Sequence, residues 1–346
     1  MVIIRELFAM IKAMRKILII RLSSFGDIVQ CLSITKHIRY EYPQASISLL
    51  TKKQFAGLGS INPDVNEVIS FDRNLGLKGW VKLCWNLRQE SYDVVYDAHS
   101  NIRTLILRLL LIGSGSFQFF KRSKSRFKRF LLFFLRINLF PKPFRGMESY
   151  FQPIAGLFRN KAKKIIQEWD FSKIDKNKVN QLLPTGEKVL VCSPSAAWEM
   201  KRWPLEHWKD LFMNLSDYKI VLLGGPADTF YEEFVAIDPN RILNLAGKLS
   251  LIESCYVISK SKCFLSADTG LIHVAEILGI PGISLIGPTA FGFPTLEHIK
   301  IMEVPLKCRP CTKDGRGGCS QEVYKKCLVD ITPAQVAQEV KNRLEL

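Results

Sequence analysis

Residues 263–286 read CFLSADTGLIHVAEILGIPGISLI, and this stretch decides the fold class. Residues 263–266 form an apolar run with the composition of a buried strand. The run stops at Asp268-Thr269-Gly270, and apolar residues then recur at helical spacing over 270–278. Gly279-Ile280-Pro281 turns the chain into a second apolar strand at 282–286. A strand, a helix and a strand in this order mean an α/β protein with mostly parallel sheets.

The same alternation extends outward from this stretch. Upstream, 188–192, 219–223 and 242–245 read as strands, and 205–215, 228–236 and 251–259 as helices. The first half repeats the pattern. It has strands at 16–22, 46–50, 65–71 and 94–97, a helix over 28–42 that ends before Pro43, and another over 75–89. Residues 161–187 between the halves are polar and charged and close on Pro184-Thr185-Gly186, which marks a domain boundary. With 346 residues, two domains are expected: 14–180 and 181–330, followed by a C-terminal helix over 331–346. Residues 1–13 precede a second methionine, Met14, and read as an N-terminal extension. Two doubly wound halves facing one another make a cleft, and ligands of such sheets sit at the carboxyl ends of the strands. The chemistry is therefore expected in the loops that follow strands.

Composition narrows the partners. Hydrophobic residues make up 47% and charged residues 23%, which excludes a disordered chain or a small disulfide scaffold. No charge-free apolar run is long enough to span a bilayer. The 49 Lys and Arg outnumber the 32 Asp and Glu, so an anionic partner is expected. Residues 98–147 hold eleven of those cations and no acidic residue. Inside them, Lys121 to Arg136 interleaves cations with Phe and Leu, the composition of a segment lying on an anionic membrane surface. A solvated basic face beside core-facing aromatics has the same composition. A nucleic-acid surface is disfavoured, because no zinc-finger, RNP or helix-turn-helix signature accompanies the charge.

The first 20 residues lack a long apolar core and a small-residue cleavage site, so a cytoplasmic chain with reduced thiols is expected. Five of the nine cysteines lie in apolar stretches. The other four, Cys308, Cys311, Cys319 and Cys327, are spaced C-x2-C-x7-C-x7-C. They read as a reduced, loop-stabilising cluster, with a zinc site as the alternative.

Four loops carry candidate chemistry. Ser23-Ser24-Phe25-Gly26-Asp27 is neither a Walker A loop nor G-x-G-x-x-G. Its Asp27 fits either a helix cap or a general base. In the loop from Ser193 to Pro204, Ser195 follows a strand, and Lys201 and Arg202 suit a phosphate. Asp228, after Gly224-Gly225, fits a ribose contact or a helix cap. Asp268, Thr269 and Gly270 open a helix whose free N–H groups favour a diphosphate, with His273 about one turn in.

Three of these stretches, in order, resemble glycosyltransferase family 9, the lipopolysaccharide heptosyltransferases. They are S-S-F-G-D ending at Asp27, K-R-W-P-x-E-H-W from Lys201 to Trp208, and S-A-D-T-G-L-I-H from Ser266 to His273, continuing to Gly287-Pro288-Thr289. The resemblance implies a GT-B fold: two Rossmann-like domains with the active site between them. It implies inverting transfer of heptose from ADP-heptose to a lipid A/Kdo-type glycolipid, at the cytoplasmic face of the inner membrane, with no cofactor required. Asp27 then matches the general base, and Lys201 the cation on the donor phosphate. Ser195, Arg202, Asp268, Thr269, Gly270 and His273 fall on the donor side. Asp228 matches an acidic residue near the ribose, Leu249 an apolar residue near adenine, and Ser24 and Gly26 the acceptor side. Gln30 and Ser33 stand where the family often has His and Pro, and Ala290-Phe291 where it has Asp-Pro. These departures leave room for another nucleotide sugar. A basic membrane- or nucleic-acid-associated protein without turnover is the non-enzyme alternative.

Overall fold

A computed structural model describes residues 15–344 apart from 114, 161, 163, 164 and 187, so the expected extension 1–13 lies outside the described residues. The chain forms two compact units. The first runs to Ser125 and includes Met147–Asp170; the second holds Arg126–Gly146 and the chain from Phe171 onward.

The first unit is built on a five-stranded parallel sheet. Its strands are β1 (Lys16–Ile20), β2 (Ser46–Lys52), β3 (Glu67–Phe71), β4 (Val94–Asp97) and β5 (Gln118–Lys121). They lie in the order β3-β2-β1-β4-β5, with Ile17 beside both Ile47 and Val94. The β1 and β4 side chains are buried almost throughout, as strands covered on both faces must be. The helices of this part of the chain include α1 (Phe25–Leu32), α2 (Ile34–Glu41), α3 (Gly76–Arg88), α4 (Ile102–Leu111), α5 (Arg126–Phe134, in the second unit) and α6 (Gly146–Phe151). Because α3 and α4 follow strands that step the same way across the sheet, right-handed crossovers put both on one face. Trp80, Cys84 and Leu87 of α3 and Leu107 and Leu111 of α4 share one core with Leu18, Ile20 and Val95.

The second unit holds a six-stranded parallel sheet in the order β11-β10-β9-β6-β7-β8. Its strands are β6 (Val189–Ser193), β7 (Lys219–Leu222), β8 (Ile242–Asn244), β9 (Phe264–Ala267), β10 (Gly282–Leu285) and β11 (Ile299–Met302). Its helices include α7 (Leu205–Asn214), α8 (Leu251–Lys260), α9 (Gly270–Leu278) and α10 (Pro333–Leu344). Trp203, Trp208, Phe212 and Phe234 fill its core with Leu190, Ile220 and Leu265. Both sheets are Rossmann-like: the order reverses beside the first strand of each, and α/β is the fold class as expected.

The structure departs from the sequence reading in places. The helix expected over 28–42 divides at Ser33. There the Ser33 and Thr35 hydroxyls donate to the Gln30 and Leu32 carbonyls, competing with the backbone ladder. Strands β5 and β11 were not anticipated; β5 lies within the basic stretch, where charge masks a short Gln-Phe-Phe-Lys alternation. The change of unit expected near 180 falls at Asp170–Phe171, because Phe171 packs edge-on to Tyr256 at 5.4 Å and the Tyr256 hydroxyl donates to Asn180 at 3.0 Å. Residues 126–146, expected with the first domain, belong to the second unit. Phe133, Phe140 and Phe144 surround Phe291 with ring centroids 5.0 to 6.1 Å away, and the Arg145 guanidinium donates to the Thr295 carbonyl at 2.7 Å.

Candidate active site

Sheet topology selects the positions before any side chain is considered. In the first sheet the strand order reverses between β1 and β4; in the second it reverses between β6 and β9. The crevice beyond the carboxyl ends of such a strand pair is where open α/β sheets bind ligands. Just past β1 stands Asp27, in the first turn of α1; the loop after β4 carries His99, the connection after β6 carries Ser195 and Lys201, and the loop after β9 carries Asp268 and Thr269.

In the first unit, Ser24 is the N-cap of α1 and Asp27 its third residue. Asp27 Oδ2 accepts from the Ser24 hydroxyl at 2.7 Å and the Ser24 N–H at 3.2 Å. Arg21, buried at the end of β1, reaches the same oxygen at 2.6 Å. Asp27 is thus more than a cap. Tyr150, fully buried on α6, donates to Oδ1 at 2.7 Å. The Tyr150 ring has the Arg122 and Arg21 guanidiniums 4.2 and 5.4 Å from its centre, and its carbonyl accepts from Tyr96 at 2.8 Å. Arg21 is itself anchored by a 2.6 Å hydrogen bond to the Ala98 carbonyl.

Burial works to raise the Asp27 pKa, but the Arg21 charge and the Ser24 and Tyr150 hydrogen bonds outweigh it and hold it well below the ordinary carboxylate value. A carboxylate offers about four acceptor directions. Three donors converge on Oδ2 and Tyr150 takes one direction of Oδ1, so Oδ1 is the oxygen with capacity for a further proton donor. Gly26 is the second residue of α1. Beside this group stands His99, which burial and the Arg21 charge push down to about 4, so it is neutral at pH 7. Its Nδ1 is buried without a hydrogen-bond partner among the described residues.

In the second unit, Lys201 Nζ meets Asp268 Oδ2 at 3.0 Å, and the Thr289 hydroxyl donates to the same oxygen at 2.6 Å. Thr269 caps α9, its Oγ1 accepting from the Leu271 N–H, and Gly270 is the first helical residue. The group therefore sets an ammonium beside the positive end of a nine-residue helix. His273 lies buried one turn in, with Nδ1 3.1 Å from the fully buried carboxylate of Glu276. Glu276 also accepts from the Leu296 N–H at 2.9 Å.

A second cluster joins the loops after β6 and β7. The Ser195 hydroxyl donates to Asp228, whose other oxygen accepts from the Gly225 N–H at 2.7 Å, and the Tyr231 hydroxyl accepts from the Ser195 N–H at 2.9 Å. A Cβ on Gly224 would stand 2.6 Å from the Asp228 carboxylate, so the turn requires glycine. Leu249 is half-buried beyond β8, at the same end of the sheet. Arg202 braces its own loop: Nε donates to the Ala196 carbonyl at 2.9 Å and the guanidinium lies 5.4 Å from the Phe230 ring centre.

Cys308, Cys311 and Cys319 are half-buried and Cys327 is buried; none forms a disulfide. Burial and the neighbouring Cys308 and Cys319 push the Cys311 thiol up. Among the described residues no three His, Cys, Asp or Glu side chains gather in a metal-binding arrangement. The cysteine-rich loop packs on Lys201: Gly315, at φ +93°, passes over its stem so closely that a Cβ would stand 2.6 Å from Lys201 Cγ.

Sequence reasoning placed Asp27, Lys201 and Asp268 but missed Arg21, Tyr150, His99, Glu276 and Gly315. A lone Arg ending an apolar strand is a readable signal for a buried ion pair. Tyr150, 123 residues from Asp27, gives no local signal at all.

A family model described as glycosyltransferase family 9 (heptosyltransferase) matches residues 80–324. The lipopolysaccharide core heptosyltransferase OpsX of Haemophilus influenzae is 26% identical over 286 residues, covering 79% of each chain. The lipopolysaccharide heptosyltransferase 2 of Escherichia coli K12 is 27% identical over 351 residues, covering 94% of this chain and 97% of that one. The solved E. coli ADP-heptose lps heptosyltransferase II superposes with a TM-score of 0.72 at 26% identity, covering 95% of this chain and 98% of the other.

Proposed function

Because this chain belongs to glycosyltransferase family 9, the heptosyltransferases, we propose that it moves heptose from ADP-heptose to an inner-core or lipid A acceptor of lipopolysaccharide, with inversion and with Asp27 as general base. The names of the E. coli and H. influenzae relatives support the donor and the pathway. The observation that carries the mechanism is the Asp27 carboxylate, ionised by Arg21, Ser24 and Tyr150 at the switch point of its sheet, with Oδ1 able to take a proton.

In this reading the acceptor hydroxyl oxygen bonds to the anomeric carbon and its proton passes to Asp27 Oδ1. The bond from that carbon to the diphosphate oxygen breaks, and its electron pair leaves with ADP. A carboxylate this weakly basic takes the proton only as the new bond acidifies the hydroxyl, which suits an oxocarbenium-like transition state. Lys201 and the N-terminus of α9 offset the charge growing on ADP, so the reaction requires no cofactor. Ser195, Asp228 and Leu249 serve the nucleoside, and Ser24 and Gly26 the acceptor side. Among the described residues no helix is long and apolar enough to cross a membrane. The enzyme works as a peripheral protein at the cytoplasmic face of the inner membrane, on an anionic surface and without a nucleic-acid partner.

The test is turnover of purified protein with ADP-heptose and a de-acylated Kdo-bearing acceptor, read by mass spectrometry. A gain of one heptose that disappears in Asp27→Ala is expected. An unchanged gain in that variant refutes the base. Ala290-Phe291, in place of Asp-Pro, favours a second reading in which another nucleotide sugar is the donor. Product from that sugar and none from ADP-heptose would select it.

A further inference from the structure

Helices α3 and α4 are apolar on two faces. Toward the sheet they bury Trp80, Cys84, Leu87, Leu107 and Leu111. Away from it, Leu77, Val81 and Trp85 recur along α3, and Ile102, Leu105 and Leu109 along α4, continued by Ile112. These residues are exposed: Leu77 to 64%, Trp85 to 55%, Ile102 to 67% and Leu109 to 57%. A surface helix buries one apolar stripe, and a contiguous second stripe marks an interaction surface. The two helices pack side by side, and the Arg88 guanidinium, on α3, donates to the Leu110 and Ile112 carbonyls at the end of α4. The exposed stripes therefore lie on neighbouring helices of one layer, on flanks left uncovered by the sheet.

Charge identifies what covers it. Lys78, Lys82 and Arg88 on α3, and Arg103 and Arg108 on α4, accompany the apolar residues, and neither helix contains an acidic residue. A second copy of the chain would set these same cations against one another. An anionic bilayer surface accepts both features, with the rings and aliphatic chains entering the acyl boundary and the cations meeting head groups. We propose that the outer face of α3 and α4 seats the enzyme on anionic lipid. The N-termini of both helices lie at the carboxyl ends of β3 and β4, the sheet end that carries Asp27. The lipid surface is thereby brought beside the carboxylate, within one unit. This proposal rests on the reading of a lipid-linked acceptor, and its test does not depend on turnover.

The experiment is co-sedimentation of the full chain with vesicles of phosphatidylethanolamine and phosphatidylglycerol, against vesicles of phosphatidylcholine alone. Binding to the anionic vesicles only is expected. Lys78→Glu/Lys82→Glu should weaken it by ~30-fold or more, as two surface cations are lost, and Leu105→Glu/Leu109→Glu should weaken it comparably. Unchanged thermal unfolding and unchanged turnover on the de-acylated acceptor would show that both variants remain folded. Equal binding to phosphatidylcholine overturns the proposal. So does wild-type binding by both variants, loss of binding only in Phe127→Glu/Phe134→Glu of α5, or a dimer in solution that either α3/α4 variant splits. Absent turnover in the wild type, with vesicle binding intact, would count against the transfer reading and not against this face.

Discussion

Asp27 is held by more donors than a helix cap needs, and each has its own consequence. Removing the Tyr150 hydroxyl takes away a hydrogen bond that favours the charged form, so Tyr150→Phe raises the Asp27 pKa. The acid limb of kcat/KM should then move to higher pH, while binding of ADP to the second unit stays as it was. An unmoved limb would remove Tyr150 from the positioning of the base. Asp27→Ala should lower turnover by ~10²-fold or more with little change in ADP affinity. The sign for stability follows from the same depressed pKa. Asp27 stabilises the fold above the ordinary carboxylate range, and that contribution is lost as pH falls through its lower folded value.

His99 acts at higher pH. Its folded pKa of about 4 lies below the ordinary histidine value, so the unfolded chain binds the extra proton between the two. Stability should fall as pH drops from ~6.5 toward 4, by at most ~1.4 kcal/mol per pH unit for one proton. Melting temperatures of His99→Gln across this window should fall less steeply than those of the wild type; parallel curves would exclude the effect.

At the scale of elements, loops after parallel strands carry the candidate residues, and this much was legible. Residues 263–286 gave the strand–turn–helix that places Asp268 and Thr269, and the run to Asp27 gave the corresponding turn in the first half. What escaped reading arrives from elsewhere in the chain. Tyr150 reaches Asp27 across 123 residues, and Gly315 covers Lys201 from the loop that carries the late cysteines. Two edge strands escaped too: β5 and β11 each carry a lysine and are largely exposed or half-buried, so neither shows the apolar run of a buried strand. Gly315→Ala tests the cover, since its positive φ and the close Lys201 stem both oppose a Cβ. It should raise KM for the donor in the same direction as Lys201→Ala, though less, with folding retained. A wild-type KM in Gly315→Ala would show that Lys201 needs no support from this loop.

For the whole molecule, the assignment of donor and base to different units makes a thermodynamic prediction. ADP at a hundred times its Kd should stabilise the protein by ~2.7 kcal/mol. Asp27→Ala should leave that gain intact and Lys201→Ala should reduce it, as scanning calorimetry would show. Equal losses in both variants would mean that the nucleotide draws on the first unit as well. The charge excess was legible from composition, but its division was not, because Phe291, far along the chain, is what draws residues 126–146 away from the unit that precedes them.

That division has a topological result. The chain passes between the units three times, at Ser125–Arg126, Gly146–Met147 and Asp170–Phe171, so three covalent tethers join them where a simple two-domain protein has one. A protease that nicks any one crossing leaves two others intact. Even the fragments separated on a denaturing gel should co-purify under native conditions, because each unit is woven from non-contiguous pieces of the polypeptide.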